Sequence, residues 1–155
     1  MKANELMIDD WVLIDVPDKY AGAKAQIKSL AFHKENDGAY FSVLIKDMMG
    51  IVRRDVFNED LRPIPLAGEI LKNNGFIDGK YRHFKGCIWK LNVEGFRILN
   101  LTESCGKSCL WGEKIKPNYP NSVGNEFAIP NICYVHELQH AMRLLGINLK
   151  IELYL

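Results

Sequence analysis

The sequence predicts a β-rich α+β protein in two parts. Three observations carry that prediction. Short runs of strand-forming residues recur every 8–12 positions through the first third. A proline pair, Pro63 and Pro65, interrupts the pattern. Beyond it, alternating strands mix with two segments of helical periodicity.

In chain order, Leu6–Asp15 is rich in strand formers around Asp9-Asp10, which reads as a tight turn feeding a strand from Trp11. Pro17-Asp18 and Gly22 mark the next turn. Ala25–Phe32 alternates and reads as a strand. Asp37-Gly38 supplies the positive φ of a hairpin turn, and Tyr40–Ile45 follows as a strand. Met49-Gly50 turns again, and Ile51–Phe57 closes the series. Four short strands of this spacing predict a small barrel or curled meander over residues 1–62, with an SH3-like barrel the preferred reading.

Arg62-Pro63-Ile64-Pro65 reads as the link to a second unit, 63–155, because prolines hold the chain extended. A short helix is expected at about 66–74, closed by Gly75 in the left-handed region. Tyr81–Phe84, Cys87–Val93 and Phe96–Leu101 read as strands. Within the weaker pattern from Thr102 to Asn131, only Cys109–Trp111 and Phe127–Ile129 look strand-like. A helix is expected at about 133–145, and Asn148–Leu153 alternates as a half-buried C-terminal strand.

That last helix carries His136-Glu137-Leu138-Gln139-His140, an H-E-x-x-H motif. Two imidazoles one turn apart can chelate zinc, with His136 and His140 as ligands and Glu137 as general base of a hydrolase. On a helical wheel, Leu138, Met142 and Leu145 fall within about 80° of Val135 as an apolar stripe. His136, His140 and Arg143 share another flank, at roughly 80–140°. A catalytic zinc needs a third protein ligand. No histidine follows His140, Arg143 and Gly146 break the extended metzincin pattern, and Arg143 would set a cation beside the ion. The balance favours an amphipathic helix whose polar flank carries two partly exposed histidines, with no cofactor. Zinc is the alternative.

Cys105, Cys109, Cys133 and His136 form a second conceivable metal set, of Cys3His type. The C-x3-C spacing is looser than usual, and scattered free thiols are the simpler reading. Basic residues define a third site. Arg53-Arg54 closes the barrel series, and Lys80, Arg82 and Lys85 interleave with aromatics as nucleic-acid-binding strands can. Lysines and arginines also protect edge strands, and a net charge of +1 gives no long-range pull toward nucleic acid.

The composition is that of a globular protein, 48% hydrophobic and 25% charged over 155 residues. The N-terminus has no apolar leader and no run reaches the roughly 20 residues of a membrane span. The expectation is a cytoplasmic protein with no membrane partner and a protein as its partner.

Three groups of residues carry a resemblance: Lys2–Val12 at the start, Leu61–Leu66 with Glu69–Leu71 and Asn74–Phe76 in the middle, and Tyr134–His140 with Gly146 at the end. On these the chain resembles small uncharacterised proteins of Bacteroides-type gut bacteria and their phages and mobile elements. The resemblance implies no catalytic residues to carry over, and the expectation for the chain is a small accessory or interaction protein. Similar chains often read V-H-Q-L-Q-N near the C-terminus, without the Glu and second His of the zinc motif. It also implies that Tyr134, Leu138 and Gln139 serve packing and capping.

Overall fold

The computed structural model describes residues 5–32, 39–47, 50–79, 87–104, 107–115 and 124–153. The chain divides into two compact units. One comprises Met1–Pro65 with Leu153–Leu155, and the other Leu66–Glu152.

The first unit holds five strands: β1 (Trp11–Ile14), β2 (Lys24–Phe32), β3 (Ala39–Asp47), β4 (Gly50–Phe57) and β5 (Leu61–Pro63). They form one antiparallel sheet in the order β4-β3-β2-β1-β5. Alternation decides its core. Val12, Ile14, Ala25, Ile27, Phe41, Val43, Ile45, Val56 and Leu61 point to one side and pack with Leu6. Eight of these nine strand residues are 1% exposed or less, so this side is dry. A register shift between Ile27 and Ser29 bends β2. Asp9, in the left-handed region at φ 69°, makes the expected turn into β1. Its N–H donates to Ile27 O at 2.7 Å, fastening the turn to β2.

Two expectations change here. Arg62 and Pro63, read as linker, are strand residues: Arg62 pairs with Leu13 and Pro63 with Val12. Proline is tolerated there because β5 is an edge. β4 and β5 form the two edges of the sheet, and no barrel closure is detected among the described residues. The Asp37-Gly38 turn lies outside those residues.

The second unit contains α1 (Gly68–Asn73), β6 (Ile77–Asp78), β7 (Cys87–Lys90), β8 (Phe96–Ser104), β9 (Lys107–Lys114), β10 (Asn125–Pro130) and α2 (Val135–Leu144). Its sheet is an antiparallel meander, β10-β9-β8-β7-β6. Trp89, Leu101, Leu110 and Ile129 stand in one row across four strands. Ile88 faces the other way, yet it too is buried, so both faces are covered at β7. The expected strand at Tyr81–Phe84 lies outside the described residues.

Both helices stop by the same device. Gly75 (φ 83°) and Gly146 (φ 74°) follow α1 and α2 in the left-handed region. Phe76 N–H donates to Leu71 O, and Ile147 N–H to Met142 O. With Gly75 and Gly146 donating to Lys72 O and Arg143 O, each end is a complete Schellman motif. Phe76, Leu71, Ile147 and Met142 are all buried, the apolar contact that accompanies this motif.

The C-terminal strand is a correction. Asn148–Leu153 has no ladder partner among the described residues. Ile151 and Leu153 are nonetheless buried while Asn148, Lys150 and Glu152 are exposed. The alternation therefore reports which side is buried. It does not report pairing, because an extended chain alternates whether or not a strand lies beside it.

Candidate functional site

The H-E-x-x-H helix α2 begins after Tyr134, an extended N-cap residue. The first turn of any helix exposes backbone N–H groups without intrahelical partners. Glu137 satisfies two donors at that end. Its Oε2 accepts the Cys133 N–H at 2.7 Å and the Tyr134 N–H at 3.1 Å. This is the return half of a capping box, and a carboxylate at a helix N-terminus is also favoured by the helix dipole. The proposed general base is thus turned back onto its own helix start.

Of the expected apolar stripe, Val135, Leu138 and Met142 are each fully buried and Leu145 is half-buried. The histidine flank departs from expectation. His136 is buried, at 5% exposure, whereas His140 is half-buried. The expectation of two partly exposed histidines is corrected for His136. Its ring stacks on Tyr134 (centroids 5.8 Å apart, planes at 11°) and meets His140 edge-on at 5.8 Å. The wheel could not show this, because burial at 100° from the stripe requires neighbours on that side of the helix. Among the described residues, no group of three or more His, Cys, Asp or Glu is placed to hold a metal ion.

The thiol set is only partly visible. Cys109 lies half-buried on β9 and Cys133 is exposed just before α2. Cys105 lies outside the described residues. Of the basic residues, Arg53 and Arg54 lie on β4, while Lys80, Arg82 and Lys85 are outside the described residues. Arg53 donates from Nε to Ser42 Oγ at 2.6 Å and from Nη2 to Ser29 Oγ at 3.5 Å. Arg54 is ion-paired with Asp18 and lies 5.5 Å over the Tyr20 ring. The Tyr20 backbone N–H and the Arg54 guanidinium hold the Asp18 carboxyl below its ordinary value. Adjacent arginines on a strand point to opposite faces, so the pair is not one basic patch. Each is engaged by its own face.

One concavity among the described residues was marked by no motif. A shallow cavity of about 460 Å³ lies on β9 and β10, lined by Trp111, Gly112, Glu113, Glu126, Phe127 and Ala128. In the sequence these strands stood out only as short apolar runs. Cross-strand register, which the sequence does not spell out, brings Trp111 opposite Ala128 and Glu113 opposite Glu126.

Compared with protein-family models, curated proteins and solved structures, the chain finds no match in any of the three.

Proposed function

We propose that this protein acts by binding a protein partner and not by catalysis, as a small accessory protein of the cytoplasm. One observation carries the reading: the Glu137 carboxylate caps α2 through the Cys133 and Tyr134 amides. A general base must reach the proton it abstracts, and one oxygen of this carboxylate, Oε2, already accepts from two backbone donors. Burial of His136 and its stack on Tyr134 support a packing role for that imidazole. The same reading takes the five-stranded sheet of the first unit as SH3-like in strand order, without the closure of a barrel among the described residues. Its strand order places β5 beside β1, and a 3-10 turn at Asn58–Asp60 precedes β5, as in that fold. SH3-like folds serve many functions, so the fold adds plausibility to binding and no specificity.

The test is metal content. Protein incubated with zinc and then desalted is expected to hold well below one equivalent, with no difference between wild type and His140→Ala. About one equivalent in the wild type, lost in His140→Ala, would overturn the reading in favour of a zinc hydrolase.

A further inference from the structure

Among the described residues the two sheets end on four edge strands, β4 and β5 in the first unit and β6 and β10 in the second. An edge strand carries a row of backbone N–H and C=O groups without a ladder partner, and proteins usually keep such strands short or interrupt them with proline. Three of the four follow that rule. β5 has three residues and includes Pro63, β6 has two, and β10 ends on Pro130. β4 does not follow it: Gly50–Phe57 runs eight residues without a proline. It is also open to solvent. Ile51 is 70% exposed, and Arg53 and Asp55 are exposed.

Charge is the other common protection of an edge, and β4 carries Arg53, Arg54 and Asp55. Their order is self-complementary. Side chains alternate, so Ile51, Arg53, Asp55 and Phe57 share the face away from the dry core, while Val52, Arg54 and Val56 share the other. Set two copies of β4 antiparallel about a two-fold axis at Arg54. Arg53 then stands opposite Asp55 of the second copy, and Asp55 opposite its Arg53. The same register sets Ile51 against Phe57 and Val52 against Val56, apolar against apolar. A slip of two residues keeps the faces aligned but loses the match. With the axis at Arg53, that guanidinium meets its own copy and Ile51 meets Asp55. With the axis at Asp55, the carboxylate meets its own copy and Arg54 meets Val56. In the matched register Arg54 lies on the axis, where its charge is offset by the ion pair with Asp18 of the same chain.

We propose that the chain pairs with a second copy of itself through β4, edge to edge, so that two sheets join into one with two-fold symmetry. The charged and apolar residues of the edge select the register. This inference goes beyond the reading of α2 and does not rest on it.

The test is sedimentation velocity of the full chain from about 1 μM to 1 mM. Wild type is compared with Arg53→Asp, with Asp55→Arg, and with an equimolar mixture of the two variants. Wild type should pass from monomer to dimer within that range, since the contact of one strand edge is small. Either variant alone sets like charges opposite each other twice, and should weaken the dimer by at least about tenfold. In the mixture every charged pair is again opposite in sign, so a dimer with one chain of each kind should form at about the wild-type concentration. A wild type that stays monomeric throughout overturns the proposal, as does growth beyond the dimer. A dimer that neither variant weakens, or that mixing the folded variants does not restore, uses another surface or register and also overturns it. Should Arg53→Asp lose the wild-type circular dichroism, Asp55→Arg decides alone, and an unweakened dimer overturns the proposal. Metal content, which decides the reading of Glu137, has no bearing on these outcomes.

Discussion

Asn74 holds Glu152 in the way a neighbouring strand would. Its Nδ2 donates to the Glu152 carbonyl at 2.8 Å, and its Oδ1 accepts the Glu152 N–H at 2.7 Å. One side-chain amide thus satisfies both backbone groups of a residue 78 positions away. The same Nδ2 also donates to Ile70 O at 2.8 Å, so the grip is anchored to the last turn of α1.

Asn74→Ala is expected to remove both bonds, at about 0.5–1.5 kcal/mol each. Asn74→Asp keeps an acceptor and loses the donor, so it should fall between wild type and Ala. Amide exchange at Glu152 checks this directly, and unchanged protection in Asn74→Ala would contradict it.

For Glu137 the capping role separates two substitutions that a catalytic role would not. Glutamine can accept the same backbone bonds, so Glu137→Gln should be near neutral. Glu137→Ala should cost about 0.5–2 kcal/mol, the usual loss of an N-terminal cap. Thermal unfolding distinguishes them, at about 2–4 °C per kcal/mol for a chain of this size. Equal destabilisation by both variants would count against the cap.

Asp18 should give a pH signature. Its carboxyl lies below the ordinary value of 3.8, because the Tyr20 amide and Arg54 favour the charged form. A group with a depressed folded-state value stabilises the fold above its unfolded value. That contribution fades as pH drops through the folded value. Acid unfolding of wild type should therefore show a pH-dependent component below 3.8 that Asp18→Asn lacks. Carboxyl NMR titration of Asp18 checks the direction, and a midpoint at or above 3.8 would refute it.

Gly68 opens α1 against Trp89. A Cβ there would come within 2.8 Å of Trp89 Cζ2, and Trp89 is itself buried. Alanine has the better helix propensity by up to about 1 kcal/mol. The ring is rigid and enclosed, so overpacking at about 1–3 kcal/mol should win. Gly68→Ala is expected to lower the melting temperature and perturb Trp89 fluorescence; a gain in stability would show that the ring moves freely.

Strand positions were largely legible. Trp11, Tyr40–Ile45, Cys87 and Phe127 were expected in strands and lie in β1, β3, β7 and β10. Their signal is alternation and β-branched or aromatic content, which are local. Gly75 likewise marked a helix end, because the left-handed conformation it adopts is disfavoured for other residues; Gly146 adopts the same conformation after α2. The short strands β5 and β6 were missed. Three or two residues are too few to alternate, and their pairing depends on partners distant in sequence.

The candidate site was less legible. The H-E-x-x-H spacing correctly put two imidazoles in contact on one flank of α2. It was silent on the burial of His136, which depends on what packs beside the helix. It was also silent on the direction of the Glu137 carboxylate, a rotamer choice made by the free amides of Cys133 and Tyr134. Glu113 and Glu126 are 13 positions apart in the sequence, and nothing local says that they are opposite each other.

By itself the sequence determined the class of the protein and the position of its longer strands and its two helices, because periodicity and turn chemistry act within a few residues. Tertiary structure decided the rest. It settled which extended segments pair, as β5 does and Asn148–Leu153 does not among the described residues, and which polar groups meet. The physical reason is that a backbone amide or a carboxylate takes whichever complementary group folding brings within hydrogen-bond distance. That partner can be a strand, a neighbouring amide or, for Glu152, the side chain of Asn74.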